Sequence, residues 1–384
     1  MDRIYLDNGS TAFPKAPGVG QAMADYVGQV GVNIGRGGYA AAYDAAEGVL
    51  DTRERLCRLF GYDRPEGVIF TAGVTAALNI LLKGLLRPGD RVVTTSMEHN
   101  AVLRPLAQLA EDGVIVEILP CEADGSLPLE RLEDALRRRP RALVMTHASN
   151  VCGTLLPVAE AAAVCRRYGV RCILDCAQTG GRIPIRMGEW GVDAVAFAGH
   201  KGLLGPQGIG GFLISPELAA EVRPLLAGGT GSQSHLETMP DFLPDRFEAG
   251  TLNLPGIFGL RAALMYLEET GVETLRGAVM DRTAELLAGL RDVPGIRLAG
   301  RPGVDGRGAV VSVDFLRQDN ARAAYLLESR YDVLTRCGLH CAPRAHRTLG
   351  TYPQGTVRFT PGHTTTAAEI GRAVAAVAAV AAGE

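Results

Sequence analysis

The stretch that decides the fold is AVAFAGHKGLLGPQGIGGFLI, residues 194–214. It holds an apolar run, then Lys201, then a glycine-rich turn that leads into a second apolar run. Short apolar runs bounded by glycine are typical of strands buried in a sheet. Because Lys201 has almost no polar neighbours in sequence, we expect partial desolvation, which lowers the pKa of the amine and suits it to reaction with a carbonyl group. The alternative is an ordinary solvated surface lysine.

Outward from this stretch, apolar β-rich runs alternate with helical patterns through the first two thirds of the chain. This alternation predicts an α/β fold, a mostly parallel sheet covered by helices. Ligands bind at the carboxyl ends of the strands in such sheets, so the residues that follow each run are the candidates for function. The runs are VIFTA (68–72), DRVVTTS (90–96), VIVEILP (114–120), RALVMTHAS (141–149), RCILDCA (171–177), AVAFAG (194–199) and GGFLIS (210–215).

The pattern changes after about residue 255. Two long helical patterns, at 256–271 and 282–292, are followed by the strand candidates GAVVSVDF and TVRFT. This order is typical of a second, smaller α+β lobe. We therefore predict a large domain over 15–255, and a small domain formed by 1–14 with 256–384 that carries the loop around Cys341 and Arg358.

The composition is that of a globular protein acting on a small molecule. Hydrophobic residues make up 47% of the 384 residues, charged residues 21%, and the net charge is −3. Neither nucleic acid nor a membrane surface is an expected partner of such a chain. The apolar tail AVAAVAAVAAGE is too short to span a bilayer and predicts a packed, alanine-rich helix. Eight cysteines without an export signal predict reduced thiols and a cytoplasmic location.

Two further places suggest a phosphate-bearing pyridine cofactor. Asp175 ends the run RCILD, where a buried carboxylate is costly unless a cation such as a protonated pyridine nitrogen needs it. The alternative is a cap for the next helix. Thr75 lies in the first helical turn after a strand and a glycine, a place where free N–H groups bind phosphate. Such junctions are common in α/β proteins, so this signal is weak alone.

With His99 and Asn150 added, the sequence resembles the class V aminotransferase family, and more narrowly its cysteine desulfurase and selenocysteine lyase branch. The resemblance implies PLP-dependent transferase fold type I, with a seven-stranded type of sheet and a smaller α+β domain. It runs over almost the whole chain. The motifs that carry it are LDNGST, HASNVCGT, LDCAQ, AGHKGLLGPQGIG, FEAGT, RCGLHCAPRAH and VRFTPGHTTT.

The resemblance implies a role for each matching residue. Lys201 matches the lysine that binds pyridoxal 5′-phosphate covalently and moves the substrate Cα proton. Asp175 matches the partner of the pyridine nitrogen, and Gln178 a ligand of the phenolic oxygen. His99 would lie over the face of the ring, and Asn150 near the phenolic oxygen and the substrate carboxylate.

Phosphate and substrate ligands follow from the same resemblance. His200, Thr75 and the backbone N–H of Val74 match contacts to the phosphate. Thr251, in FEAGT, matches a residue that reaches the phosphate from the partner subunit, which implies a homodimer. Arg358, in VRFTP, matches the arginine that binds the substrate carboxylate, a task that a bidentate guanidinium suits.

The chain departs from the family pattern at two positions. Ala198 stands where the family often has serine, and Val74 where it often has threonine. Each change removes a hydroxyl donor to the phosphate, so either the cofactor binds less tightly or another group compensates.

The segment TRCGLHCAPRAH, residues 335–346, decides the chemistry. Cys341 falls where the family pattern RxGxxCA places the sulfur-accepting cysteine, and Gly338 and Pro343 favour a loop there. Positive charge on the neighbouring Arg336, His340 and Arg344 would favour a thiolate. One alternative is a buried structural thiol. Another is a metal site, whose ligands would be Cys337, His340, Cys341 and His346, although their spacing is not that of the common zinc modules.

The expected function is removal of sulfur from L-cysteine, which gives L-alanine and a persulfide on Cys341. A sulfur-acceptor protein or thiol would then take the sulfur, and no metal is required. Three alternatives stay open: a selenocysteine lyase acting on L-selenocysteine, a class V aminotransferase without persulfide chemistry, and a metal or redox sensor that needs no cofactor.

Overall fold

The computed structural model of the chain describes residues 3–35 and 37–383. Met1, Asp2 and Glu384, which belong to the predicted small domain, lie outside the described residues, as does Arg36. The strands are β1 (Ile4–Tyr5), β2 (Val68–Thr71), β3 (Arg91–Thr95), β4 (Ile115–Leu119), β5 (Ala142–Thr146), β6 (Arg171–Asp175), β7 (Ala194–Ala198), β8 (Gly210–Ile214), β9 (Ile296–Ala299), β10 (Val311–Phe315), β11 (Val333–Leu334), β12 (Arg336–Gly338) and β13 (Thr356–Phe359).

Helices cover these strands on both sides. They are α1 (Val19–Asp25), α2 (Ala40–Phe60), α3 (Val74–Leu85), α4 (Asn100–Glu111), α5 (Leu129–Leu136), α6 (Val158–Tyr168), α7 (Met187–Trp190), α8 (Pro216–Glu221), α9 (Leu254–Thr270), α10 (Val272–Arg291), α11 (Asn320–Tyr331), α12 (Pro343–Thr348) and α13 (Ala367–Ala382). A π-helical segment, Tyr26–Val30, continues α1, and a 3₁₀ turn, Pro65–Gly67, precedes β2.

The seven predicted runs form one seven-stranded sheet, in the order β2-β8-β7-β6-β5-β3-β4. The pairs among β3 to β7 are parallel, and β8 is antiparallel to both of its neighbours. The prediction of a mostly parallel sheet is therefore confirmed.

Strand β7 shows why these runs are apolar throughout. All five of its residues are buried. Val195 and Phe197 belong to one hydrophobic core, and Ala194 and Ala196 belong to a second core on the opposite face of the sheet. Successive side chains of a strand point to opposite faces, so a sheet covered by helices on both sides needs continuous apolar runs. Each fully buried valine or phenylalanine contributes about 1.5–3 kcal/mol.

A separate core lies under the smaller sheet, whose order is β12-β13-β10-β9 and whose strands are all antiparallel. Ile4 and Leu6 join this third core although they come from the other end of the chain. Helix α13 packs there as well, starts with a capping box between Thr366 and Glu369, and confirms the predicted alanine-rich helix. The division into domains at 15 and 255 stays a prediction. In the described residues, no helix combines the length and the apolar character needed to cross a bilayer.

Candidate active site

Lys201 follows strand β7 by three residues and lies at the carboxyl edge of the parallel strands. Asp175 ends the neighbouring strand β6, where its Cα is paired in register with Ala196. Burial lowers the pKa of Lys201 to about 8, and the negative charge of Asp175 opposes this shift. Close packing fixes the chain here, because a Cβ on Gly202 would collide with the carbonyl oxygen of Gly180. The two predicted residues are thus brought together.

Asp175 is a buried carboxylate, with only 3% of its surface exposed. Its Oδ1 accepts a hydrogen bond of 2.9 Å from the N–H of Ala177, so the capping alternative describes part of its environment. Burial raises the pKa of Asp175, while this N–H and the charge of Lys201 lower it. Such a carboxylate is stabilised by a cation beside it, as a protonated pyridine would be.

His99 precedes helix α4 and caps it, because its Nδ1 accepts from the N–H of Ala101 at 3.0 Å. An acceptor Nδ1 leaves the proton of the neutral ring on Nε2. Burial, and to a smaller extent the charges of Lys201, Arg336 and Arg358, lower the pKa of His99 to about 4. At neutral pH the ring is therefore uncharged.

Glu98, the residue before His99, was not identified as a candidate from the sequence. Its side chain is fully buried, with Oε1 accepting from Thr95 Oγ1 at 2.6 Å and from the N–H of Thr146 at 3.1 Å. Its Oε2 has no partner among the described residues. Burial, with the charge of Asp175 as a smaller cause, raises the pKa of Glu98 to about 8. The only advance signal was its position beside His99.

Arg358 is almost completely buried at 1% exposure and is held by the N-terminal segment. It donates to Asp7 Oδ1 at 3.0 Å, to Ser10 Oγ at 2.8 Å and to the carbonyl oxygen of Asn150 at 3.1 Å. A Cβ on Gly9 would lie 3.1 Å from the Arg358 Cζ, so glycine allows this close approach. Sequence reasoning missed Asp7 and Ser10 as individual residues, although the motif LDNGST contains both.

The residues predicted to contact the phosphate lie at two places. Val74 and Thr75 form the first turn of α3, where amide groups have no partners within the helix. His200 Nδ1 lies 3.1 Å from Thr11 Oγ1. Lys15, which was also missed, donates to Thr11 Oγ1 at 3.0 Å and to the carbonyl oxygen of His200 at 2.9 Å.

Gln178 and Thr251 differ in their surroundings. Gln178 donates from Nε2 to the carbonyl oxygen of Gly9 at 3.1 Å, next to the segment that holds Arg358. Thr251 is exposed on the loop before α9, and in the described part of the chain it makes no hydrogen bond to another predicted site residue. Ala198 is buried at the end of β7 and offers no side-chain donor.

Cys341 lies in a turn between β12 and α12, as the glycine and proline predicted, and its side chain is exposed. This exposure contradicts the alternative that Cys341 is a buried structural thiol. An Arg336 guanidinium nitrogen lies 3.8 Å from its Sγ, and the Cys341 carbonyl accepts from the N–H of Asn100 at 2.7 Å. His340 and Cys341 both have left-handed backbone angles, φ 47° and 57°, which are strained for residues other than glycine. Asn150 Nδ2 holds this turn by donating to the His340 carbonyl at 2.8 Å.

The expected contribution of His340 to a thiolate is corrected by the structure. His340 is buried with Nε2 3.1 Å from Thr356 Oγ1, and burial lowers its pKa to about 2. The ring is neutral at physiological pH because a buried imidazolium would lose its hydration. Of the three predicted neighbours, Arg336 is the one placed against the Cys341 sulfur.

The alternative of a metal site is not supported by the arrangement of the described side chains. Among residues 3–35 and 37–383, no group of three or more His, Cys, Asp or Glu side chains is arranged to hold a metal ion. Cys337 pairs with Val357 in the small sheet, whereas Arg336 pairs with Arg358. Since neighbouring residues of a strand face opposite sides, Cys337 points away from the side that Arg336 and Arg358 share. Cys57, Cys165 and Cys172 are buried.

The arrangement fits the cofactor that the resemblance implies. An amine with a lowered pKa lies beside a buried carboxylate, a neutral imidazole is fixed in one tautomer, and a helix amino terminus provides free N–H groups. The amine matches the aldehyde of the cofactor, and the carboxylate matches its pyridine nitrogen. The imidazole matches its aromatic ring, and the helix N–H groups match its phosphate. An exposed thiol lies at the edge of the same site.

Known proteins resemble the chain over nearly all of its length. The family profile described as aminotransferase class-V matches residues 4–372. A probable cysteine desulfurase of Methanothermobacter thermautotrophicus is 33% identical over 96% of this chain and 92% of its own length. A cysteine desulfurase of Cronobacter sakazakii is 31% identical over 88% of this chain and 84% of its own length. The solved apo cysteine desulfurase of Thermococcus onnurineus superposes with a TM-score of 0.92 at 27% identity, covering 100% of this chain and 95% of that one, which confirms the predicted fold.

Proposed function

The chain belongs to the class V aminotransferase family, and from this membership we propose that it is a pyridoxal-phosphate-dependent cysteine desulfurase. It would convert L-cysteine to L-alanine and keep the sulfur as a persulfide on Cys341. The observation that carries the proposal is the chain of contacts from Cys341 Sγ through Arg336 and Ser10 to Arg358. These contacts connect an exposed thiol to the arginine proposed to bind the substrate carboxylate.

The cofactor, when bound, withdraws electrons from the substrate Cα and so stabilises negative charge there. Lys201 would hold its aldehyde, Asp175 its pyridine nitrogen and Gln178 its phenolic oxygen. Neutral His99 would cover the ring face without adding charge. The start of α3 at Val74 and Thr75, together with His200, would hold the phosphate.

Lys201 and Arg358 would position and deprotonate the substrate. Arg358, with Asn150 beside it, would bind the carboxylate and so orient the Cα–H bond. Because burial lowers the pKa of Lys201 to about 8, an appreciable fraction of its amine is neutral near that pH and can accept the Cα proton. Asp7 and Ser10 would keep Arg358 in place.

Cys341 would carry out the sulfur step. Its thiolate forms a bond to the substrate sulfur while the substrate Cβ–S bond breaks, and the electron pair of that bond stays on Cβ. Cβ then takes up a proton and becomes the methyl group of alanine. The positive charge of Arg336 near Sγ favours the thiolate that starts this step.

A homodimer is part of the proposal. Thr251 lies exposed, as expected of a residue that completes the site of a partner subunit. Large apolar side chains are exposed on the nearby segments, among them Tyr43 on α2 and Leu226 and Phe242 before the Thr251 loop. We take these exposed apolar side chains as support for a subunit interface. Sedimentation should show a dimer, and a fully active monomer would contradict this assignment.

The proposed location is the cytoplasm, because the eight free cysteines fit a reducing compartment.

Substrate choice tests the function directly. Release of sulfide or selenide and of alanine should be measured side by side on L-cysteine, L-selenocysteine and L-cysteine sulfinate. Alanine from cysteine together with persulfide on the protein supports the desulfurase. Turnover of selenocysteine alone would favour a selenocysteine lyase, and amino transfer to a keto acid without sulfur release would favour an aminotransferase.

A further inference from the structure

The surface around Cys341 carries unpaired positive charge. From residue 333 to residue 368 the sequence contains no Asp or Glu. Arg344 and Arg347 lie on α12 and are exposed, and Arg104 is exposed on α4. Within the described part of the chain, none of these three, nor Arg336, is in a salt bridge. We call Arg104, Arg336, Arg344 and Arg347 the arginine collar.

The collar lies near the thiol because its elements meet at the Cys341 turn. The N–H of Asn100, at the start of α4, donates to the Cys341 carbonyl at 2.7 Å. Thr348 at the end of α12 donates to Ser96 Oγ, just before α4, at 2.8 Å. Arg104 follows Asn100 by about one helical turn, or roughly 6 Å along the axis. The collar therefore combines arginines of β12, α4 and α12, the elements that meet at the Cys341 turn.

Some arginines elsewhere on the surface have carboxylate partners, whereas others, such as Arg64 and Arg223, are in no salt bridge within the described residues. Arg138 pairs with Glu117, Arg167 with Glu133 and Arg171 with Asp193. The carboxylates near the collar are already engaged: Asp7 binds Arg358, and Asp314 binds Arg297. Glu98 is buried. The collar thus presents guanidinium groups whose anionic partners must come from outside the chain.

We propose that the arginine collar docks an acceptor protein whose reactive cysteine is surrounded by carboxylates. This inference rests on the proposed persulfide chemistry. The acceptor thiolate attacks the outer sulfur of the Cys341 persulfide, the S–S bond breaks, and its electron pair stays on Cys341 Sγ. No oxidant or reductant is consumed. The guanidinium groups attract the acidic surface and the incoming thiolate alike.

The spread of the collar favours a protein over the other anions. Its four arginines come from a strand and two helices, and they outnumber the one or two carboxylates of a small thiol. Nucleic acid would satisfy the charge but has no thiol to take the sulfur. A carboxylate-rich protein surface supplies both.

The test uses peptides as acceptors for the holoenzyme. Three peptides share one sequence with a central cysteine, and the flanking positions carry glutamate, glutamine or lysine. The enzyme is loaded once with cysteine, each peptide is added, and loss of the persulfide from Cys341 is followed by mass spectrometry. At low salt the glutamate peptide should react about tenfold faster than the glutamine peptide, and this preference should shrink at high salt.

Charge-reversing substitutions test whether the preference for the glutamate peptide depends on the arginine collar. In R104E/R344E the preference for glutamate over glutamine should disappear or invert. The matched control is R64E/R223E, which makes the same change of charge at exposed arginines near the opposite edge of the large sheet. This control should keep the preference.

The outcomes separate the two proposals. If Cys341 never gains sulfur from cysteine, the proposed function fails. If the persulfide forms normally but the peptides react equally, or R104E/R344E keeps the wild-type preference, the collar assignment fails. Equal peptide rates combined with strong inhibition by an RNA oligonucleotide would instead assign the collar to nucleic acid.

Discussion

Arg336 connects Cys341 with the N-terminal segment, since one of its guanidinium nitrogens lies 3.8 Å from Cys341 Sγ and the other donates to Ser10 Oγ at 3.0 Å. Ser10 is also bonded to Arg358. Two arginines therefore share one hydroxyl, one of them directed to the thiol and the other to the proposed carboxylate site. The charge of Arg336 is held in place rather than left on a freely moving side chain.

Replacement of Arg336 should slow the reaction of Cys341. In Arg336→Gln the thiolate loses its nearest cation, so alkylation of Cys341 by iodoacetamide at pH 7 should slow about two- to fivefold, as expected for a partly exposed charge pair. Peptide mapping separates Cys341 from the other exposed thiol, Cys337. Arg330→Gln, on the exposed side of α11, is the matched control. An unchanged rate in Arg336→Gln would show that Arg336 does not activate the sulfur.

Lys201 should carry the cofactor. The chain has only three lysines, Lys15, Lys83 and Lys201. Burial lowers the pKa of Lys15 to about 8 as well, so it is the real competitor. The Lys15 amine is already bonded to Thr11 and His200, whereas Lys201 has the charge of Asp175 in its surroundings. Borohydride reduction followed by peptide mapping should leave the pyridoxyl group on Lys201, and a label on Lys15 or Lys83 would exclude this assignment.

The large sheet and its edge could be predicted from the sequence because they depend on local patterns. A strand buried on both faces needs an unbroken apolar run, and the chain direction places Asp175 and Lys201 at one edge. The bond between Asp7 and Arg358 could not be predicted, since 351 residues separate the partners. The neutral state of His340 could not be predicted either, because it depends on burial beside Thr356 of β13 and not on the residues next to it in sequence. Local sequence shows which groups are available, and long-range packing decides their charge.

Glu98 should make the stability of the protein depend on pH. Its pKa is raised from 4.5 to about 8, chiefly by burial, so between these values the folded state holds a proton that the unfolded state has released. The free energy of unfolding therefore falls as the pH rises through this window, by up to about 1.4 kcal/mol per pH unit. Glu98→Gln keeps an acceptor for Thr95 and Thr146 but cannot ionise.

Between pH 5 and pH 8 the wild type should thus lose stability that Glu98→Gln keeps. Over this range the free energy of unfolding of the variant should rise by roughly 2–4 kcal/mol relative to that of the wild type. Urea denaturation at several pH values measures it. Glu237→Gln, at an exposed position, is the control and should give a nearly constant difference. A constant difference for Glu98→Gln as well would mean that Glu98 is ionised in the folded protein.

Cys341, and not Cys337, should accept the sulfur. Both thiols are exposed, so exposure alone does not separate them. Cys337 pairs with Val357 on β12 and faces away from the side of Arg336 and Arg358, whereas Cys341 lies in the turn against Arg336. Cys341→Ser should therefore lose nearly all sulfide release from cysteine but keep the visible absorption of the bound cofactor, because Lys201 is unchanged. Turnover of selenocysteine can survive in this variant, since selenium is the better leaving group.

Cys337→Ser is the matched control for that loss, as it removes an exposed thiol four positions away and should change either activity little. Mass spectrometry after incubation with cysteine gives the direct reading, an added sulfur on the peptide that contains Cys341 in the wild type and in Cys337→Ser. Because both thiols fall in one short segment, fragmentation must assign the sulfur to one of them. Added sulfur on Cys337, or full desulfurase activity in Cys341→Ser, would contradict the role given to Cys341.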